Sequence, residues 1–351
     1  MDSRQLIREL QGGTVRPVYV CHSAETYLLN EFAERLIEAA VEPDGLEMGV
    51  IRYDTGETPL DTIIDEAETP PFLTSRKVVL VRDAVVFGSG KATGVEHRAE
   101  RLLAYLDGPL ESTTLAFLVP SDKLDERKKI VKAVKAKGLV CAFSPLSDGE
   151  LRAWLARCAE RHRCTMDTGA VEELLRRVGP DMGTLAAEVD KLCLHAGAGG
   201  RITAEAVSQL VPVTVEQSVF RLTEEIAALR IDRAVALFRE LLKRREEPIA
   251  LTALLVRQFR NMLHVKELGR QGLSPQRIAS ETGLHPYAVR MLGEQARRFS
   301  TERLVRILER LAELDHDMKT GRIDKALGVE LFLLRTGWEG ASEGAARPAN
   351  G

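Results

Sequence analysis

The first 145 residues alternate two kinds of segment, and this alternation restricts the fold more than any other feature of the chain. Short apolar runs stand at 17–21, 49–53, 77–81, 114–119 and 139–143. Amphipathic stretches lie between them, at 25–39, 58–68, 96–106 and 124–137. Continuous apolar runs separated by helical patterns are what a parallel sheet with helical crossovers requires, because its strands are covered on both faces. The pattern therefore predicts five strands in a doubly wound α/β domain.

Past Ser144-Pro145 the pattern changes to helix throughout, with no convincing strand up to 335. A short helical cluster covers 151–161, 169–178 and 181–195. It ends at the turn-rich Ala196-Gly197-Ala198-Gly199-Gly200, before a further helix at 203–210. Val211-Pro212-Val213 marks a second boundary. Seven more helices follow, at 216–229, 232–244, 248–268, 275–281, 286–297, 301–318 and 324–334. Several open on Pro or an Asp/Thr cap. The expected plan is an α/β domain (1–145), a helical lid (146–212), a larger helical module (213–338) and a disordered Gly/Ala-rich tail (339–351).

A chain of 351 residues fits two or three domains rather than one core. With 44% hydrophobic and 29% charged residues the composition is that of a soluble protein. No apolar run approaches the roughly 20 residues a bilayer span needs. The mixed-charge segment 1–11 does not read as a signal peptide. Five scattered cysteines offer no disulfide framework and favour a reducing, cytoplasmic setting. A net charge of −3 argues against coating nucleic acid by bulk attraction, although a local basic stripe is compatible with it.

An α/β domain followed by a helical lid is the plan of AAA+ ATPases, so a phosphate loop is expected after the first strand. Cys21-His22-Ser23-Ala24-Glu25-Thr26-Tyr27 stands there instead, without lysine or glycine, and with a carboxylate that would repel a phosphate. Gly88-Ser89-Gly90-Lys91-Ala92-Thr93 imitates the motif, but Ala92 replaces the hydroxyl that should hold magnesium. The third strand ends in Arg82-Asp83 rather than in the acidic pair that would orient an attacking water. These residues describe an ATPase fold without ATPase chemistry, with no catalytic residue and no cofactor. An active AAA+ ATPase with an atypical site is the alternative.

Four other features invite a function. Cys158, His162, Cys164, Cys193 and His195 contain metal-ligating types, but their spacing is that of helix faces rather than a zinc site. Segment 275–296 has the spacing of a helix-turn-helix, with Ala279, Gly283 and Val289 at the packing positions and Tyr287, Arg290, Gln295, Arg297 and Arg298 on the second helix. A DNA-binding regulator is thus a further alternative, though two packed helices joined by a glycine turn explain the same residues. Segment 124–137 is basic, and Lys128, Lys132 and Lys135 share a face at i, i+4, i+7, with Arg127 beside them. Such a face suits a DNA backbone, and a solvated helix surface suits it equally. Finally, Thr69-Pro70-Pro71-Phe72-Leu73-Thr74-Ser75-Arg76 places Phe72 and Leu73 in a proline-stiffened loop. They either fold back onto the domain or stand out from it.

The segment from Pro71 through Phe72-Leu73-Thr74-Ser75-Arg76 to Val79 resembles the stretch before the third strand in clamp-loader delta subunits of bacterial DNA polymerase III. Leu124-Asp125-Glu126-Arg127-Lys128-Lys129, Glu188-Val189-Asp190-Lys191-Leu192, Gln258-Phe259-Arg260, His285-Pro286-Tyr287 and Asp317-Met318-Lys319-Thr320-Gly321 are similar as well, in order. The resemblance implies a degenerate AAA+ domain, a helical lid and a helical collar. The collar would join the gamma/tau and delta prime subunits of the loader. The first domain would bind and open the sliding clamp (beta) through Phe72 and Leu73, for loading on primed DNA, without ATP hydrolysis of its own. Arg127, Lys128, Lys132, Lys135 and Tyr287 are then the candidates for DNA contact. Neither a cofactor nor a membrane partner is implied.

Overall fold

The computed structural model describes residues 3–88 and 94–345, with side chains described as far as 338. The chain forms two compact units, Met1–Pro145 and Leu146–Gly351.

The first unit holds helices α1 (Ser3–Gln11), α2 (Thr26–Ala40), α3 (Leu46–Gly49), α4 (Leu60–Glu68), α5 (Ala99–Tyr105) and α6 (Lys129–Lys137). Its strands are β1 (Val18–His22), β2 (Val50–Asp54), β3 (Lys77–Arg82), β4 (Thr113–Val119) and β5 (Leu139–Ala142). All pair in parallel, in the order β2-β3-β4-β1-β5, with Val18 opposite Leu115 and Val50 opposite Val78. This is the strand order of the AAA+ fold, and the expected fold class is therefore observed. Alternate strand residues serve opposite faces. Val18, Val20, Val79, Val81, Leu115 and Phe117 pack with Leu60, Ile63 and Ile64 of α4 and Val131 and Val134 of α6. On the other face the Tyr19 ring meets Phe32 of α2 edge-on at 5.6 Å.

The second unit is built from α7 (Asp148–Arg161), α8 (Thr168–Val178), α9 (Met182–Ala196), α10 (Ala204–Leu210), α11 (Val215–Ala227), α12 (Ile231–Lys243), α13 (Pro248–Arg270), α14 (Pro275–Thr282), α15 (Pro286–Ala296), α16 (Thr301–Lys319) and α17 (Lys325–Ala345). Local chemistry sets the helix starts. Ser147 and Glu150 form a reciprocal capping box on α7, and Thr214, Ser274 and Ser300 cap α11, α14 and α16. Buried side chains from Val219 to Leu333 make one continuous core cluster. A two-residue parallel pair, β6 (Thr165–Met166) with β7 (Arg201–Ile202), departs from the all-helical expectation; it is too short to leave a periodic signal. Helix α17 continues to Ala345, into the segment read as a disordered tail, and residues 346–351 lie outside the described residues. Among the described residues, no helix is long and apolar enough to cross a membrane.

Candidate partner-binding site

The loop between α4 and β3 is fixed at both ends. Helix α4 stops at Thr69, whose N–H donates to the carbonyls of Asp65 and Glu66, because Pro70 drives the preceding residue to an extended conformation. Where the loop returns, Lys77 opens β3 with its side chain almost wholly buried. Its ammonium donates to the Glu66 carbonyl at 2.6 Å and pairs with the Glu66 carboxylate at 2.5 Å. One buried cation thus ties the end of α4 to the start of β3. Between these anchors Phe72 and Leu73 are 74% and 75% exposed. Of the two placements the sequence left open, the structure has the projecting one. Leu73 has φ 60°, left-handed backbone that a branched residue adopts at a cost of about 1–2 kcal/mol. The loop thus holds a strained conformation with two large apolar side chains in water. Burying them in a partner would release about 1.5–3 kcal/mol for each. The sequence pointed to Phe72 and Leu73 but missed Lys77 and Glu66; a lysine heading an apolar run was the available signal.

At the turn from β1 to α2, the position of an AAA+ phosphate loop, the chain's own side chains take the hydrogen bonds. The Ser23 hydroxyl donates to the Phe143 carbonyl at 2.7 Å and accepts from the Glu25 N–H at 2.9 Å. The Glu25 carboxylate caps α2 by accepting from the Tyr27 N–H at 3.2 Å. A fixed anion therefore sits where a bound phosphate would be cradled. At the end of β3, Asp83 lends its carbonyl to the Thr55 hydroxyl at 2.6 Å. Of the look-alike at Gly88-Ser89-Gly90-Lys91-Ala92-Thr93, residues 89–93 lie outside the described residues.

The cysteines of the cysteine–histidine set lie near one another, but not as a ligand set. Cys158, Cys164 and Cys193 are buried cysteines. Burial, followed by the neighbouring Cys164, pushes the Cys193 thiol up to about 12, the reverse of what a thiolate ligand needs. His162 Nε2 lies 2.9 Å from the Asp190 carboxylate. Among the described residues no group of His, Cys, Asp and Glu is arranged to hold a metal.

The DNA candidates separate. Helix α6 starts at Lys129, not at 124, so Lys128 is its N-cap residue and does not share the i, i+4, i+7 face. The Lys128 ammonium instead donates to the carbonyls of Val86 and Gly88 at 2.9 and 2.7 Å, fastening a loop. Arg127 makes a two-pronged pair with Asp125, both bonds at 2.9 Å, and this holds the Asp125 carboxyl down at about 2. Lys135 pairs with Glu126 at 2.5 Å on the surface, and Lys132 is exposed. Tyr287 is 8% exposed and packs within the helical unit, with the Arg290 guanidinium 5.5 Å from its ring centre. Gln295 is buried too, its amide donating to the Phe220 carbonyl at 3.2 Å. Helices α14 and α15 do turn at Gly283, in the left-handed conformation at φ 69°; on the second helix Tyr287 and Gln295 are buried, whereas Arg290, and Arg297 and Arg298 just past its end, are exposed.

Comparison with known proteins agrees with this architecture. Residues 19–144 match the family model described as DNA polymerase III, delta subunit, and residues 216–336 that of the DNA polymerase III delta subunit, C-terminal domain. The Bacillus subtilis DNA polymerase III subunit delta is 36% identical over 329 residues, 93% of this chain and 95% of that protein. The solved Bacillus subtilis DNA clamp loader delta protein superposes with a TM-score of 0.74 at 35% identity, covering 95% of this chain and 99% of that one. The chain belongs to the DNA polymerase III delta subunit family.

Proposed function

We propose that this subunit binds and opens the sliding clamp for loading onto primed DNA, contributing geometry and binding energy but no ATP hydrolysis. The observation that carries the proposal is the exposure of Phe72 and Leu73 at the tip of a loop anchored by Lys77. Two adjacent large apolar side chains, held in water by a stiff and partly strained loop, have the character of an interface hot spot. Their burial would favour whichever clamp conformation accepts both, which is one with a sprung subunit interface. Glu25 at the head of α2 supports a silent nucleotide site, because a carboxylate already occupies the anion position.

The second unit would divide into a lid (146–212) and a collar (213–338) joining the gamma/tau and delta prime subunits. Leu327, Leu334 and Trp338 of α17 support this assignment. They recur at helical spacing and are 52%, 52% and 82% exposed, an apolar stripe suited to a neighbouring subunit. Lys132 and Lys135 remain the candidates for the DNA backbone inside the assembled loader, a cytoplasmic machine at the nucleoid. The test is equilibrium binding of the purified chain to the clamp of the same organism without nucleotide. A folded Phe72→Ala/Leu73→Ala variant is expected to lose at least a hundredfold. Undiminished binding by that variant refutes the assignment of the contact to these residues.

A further inference from the structure

A second exposed apolar pair adjoins the Phe72–Leu73 tip. Leu46 and Met48 lie on α3, the single turn leading into edge strand β2, and are 43% and 57% exposed. Two glycines bracket that turn, and both permit close approach. A Cβ on Gly45 would stand 2.7 Å from Cγ2 of Thr74, and one on Gly49 would stand 2.6 Å from Cγ1 of Val41 and 3.4 Å from the Arg76 carbonyl. Helix α3 is therefore seated on Thr74 and Arg76, the returning limb of the loop, immediately after Leu73. The pairing of Val50 with Val78 in the parallel ladder fixes this placement.

The area of contact also argues for a wider surface. A specific interface buries about 800 Å² on each partner. Even at the upper aromatic value of about 250 Å² each, Phe72 and Leu73 together supply no more than about 500 Å². The missing area must come from surface next to them, and Leu46 and Met48 are the exposed large apolar side chains placed there by the contacts of α3. Glu42, Asp44 and Glu47 are exposed around this pair, an acidic rim on an apolar centre.

We infer that Leu46 and Met48 form a second contact for the same protein partner, the sliding clamp, on an apolar patch with basic residues at its edge. The inference rests on the reading of Phe72 and Leu73 as the clamp contact. Close packing of Gly45 and Gly49 makes the loop and α3 one rigid surface, so both pairs dock together and little ordering is needed on binding.

The test compares nucleotide-free clamp binding by the full chain, by Leu46→Ala/Met48→Ala and by Phe72→Ala/Leu73→Ala. The altered side chains are exposed, so thermal melting of both variants should match the wild type. If the α3 variant melts early, Met48→Ser alone, at the more exposed site, carries the test. The expected result is a loss of about tenfold or more in the α3 variant, about 1.4 kcal/mol, and a larger loss in the loop variant. Wild-type affinity in the α3 variant beside a loss in the loop variant overturns the inference and leaves the loop assignment standing. A loss in the α3 variant alone supports α3 as a clamp contact and overturns the loop assignment. Wild-type affinity in both variants overturns both.

Discussion

The ammonium of Lys77, almost wholly buried at the first position of β3, lies 2.5 Å from the carboxylate of Glu66, in the last turn of α4. The two sides of this pair are unequal, because Glu66 keeps contact with water and Lys77 does not. Removing the carboxylate by Glu66→Ala leaves a buried cation with a carbonyl as its remaining partner in the pair. That should destabilise the unit by about 2–4 kcal/mol. Removing the cation by Lys77→Met leaves an apolar side chain in an apolar place and a carboxylate that water can solvate. It should cost less than about 1.5 kcal/mol. Denaturant unfolding of the two variants checks the order, and equal or inverted costs would contradict it.

Burial holds His285 down at about 4, with Asp148 pulling weakly in the opposite direction. Its Nδ1 accepts from the Tyr287 N–H at 3.1 Å and caps α15, so the neutral ring is the form that fits. A histidine whose folded-state value is depressed contributes stability that is fully present above its unfolded value of about 6.5. That stability is lost as pH falls from there towards 4, because the unfolded chain binds the proton first. His285→Asn keeps a capping side chain but cannot titrate. Its stability should therefore fall less between pH 6.5 and 4 than that of the wild type, by at most about 3 kcal/mol. Parallel pH profiles would show that the histidine contributes nothing.

Leu334 and Trp338 stand on α17, and the function proposed for them is assembly rather than clamp binding. Leu334→Ala/Trp338→Ala should leave the melting temperature and clamp affinity of the isolated chain unchanged. It should weaken incorporation into the loader with gamma/tau and delta prime by tenfold or more, read by gel filtration of the mixed subunits. Normal incorporation would place the collar contact on another face.

The five strands and their parallel arrangement were legible because each is a short apolar run bounded by turn residues, and the helices of the second unit because Pro, Ser and Thr caps mark their starts. Four features were not. Helix α1 buries only Leu6 and Leu10 from a polar segment, too weak a pattern to read. Helix α6 read as starting early because Leu124 is buried and the charges run on unbroken, whereas Lys128 leaves the helix to bind two loop carbonyls. The exposure of Phe72 and Leu73 was undetermined because it depends on the Lys77–Glu66 tie across the ends of the loop, a pairing the lysine alone does not specify, and on the backbone of Leu73. The helix-turn-helix spacing was real, but burial of Tyr287 and Gln295 depends on the helices packed against them.

In the proposed function this subunit opens a closed ring by binding alone. The most direct measurement is the release of a labelled clamp from nicked circular DNA, followed with the isolated chain present and nucleotide absent. Release is expected well above the spontaneous rate with the wild type, and at the spontaneous rate with Phe72→Ala/Leu73→Ala. A clamp that stays on the circle while saturated with the wild-type chain would contradict it.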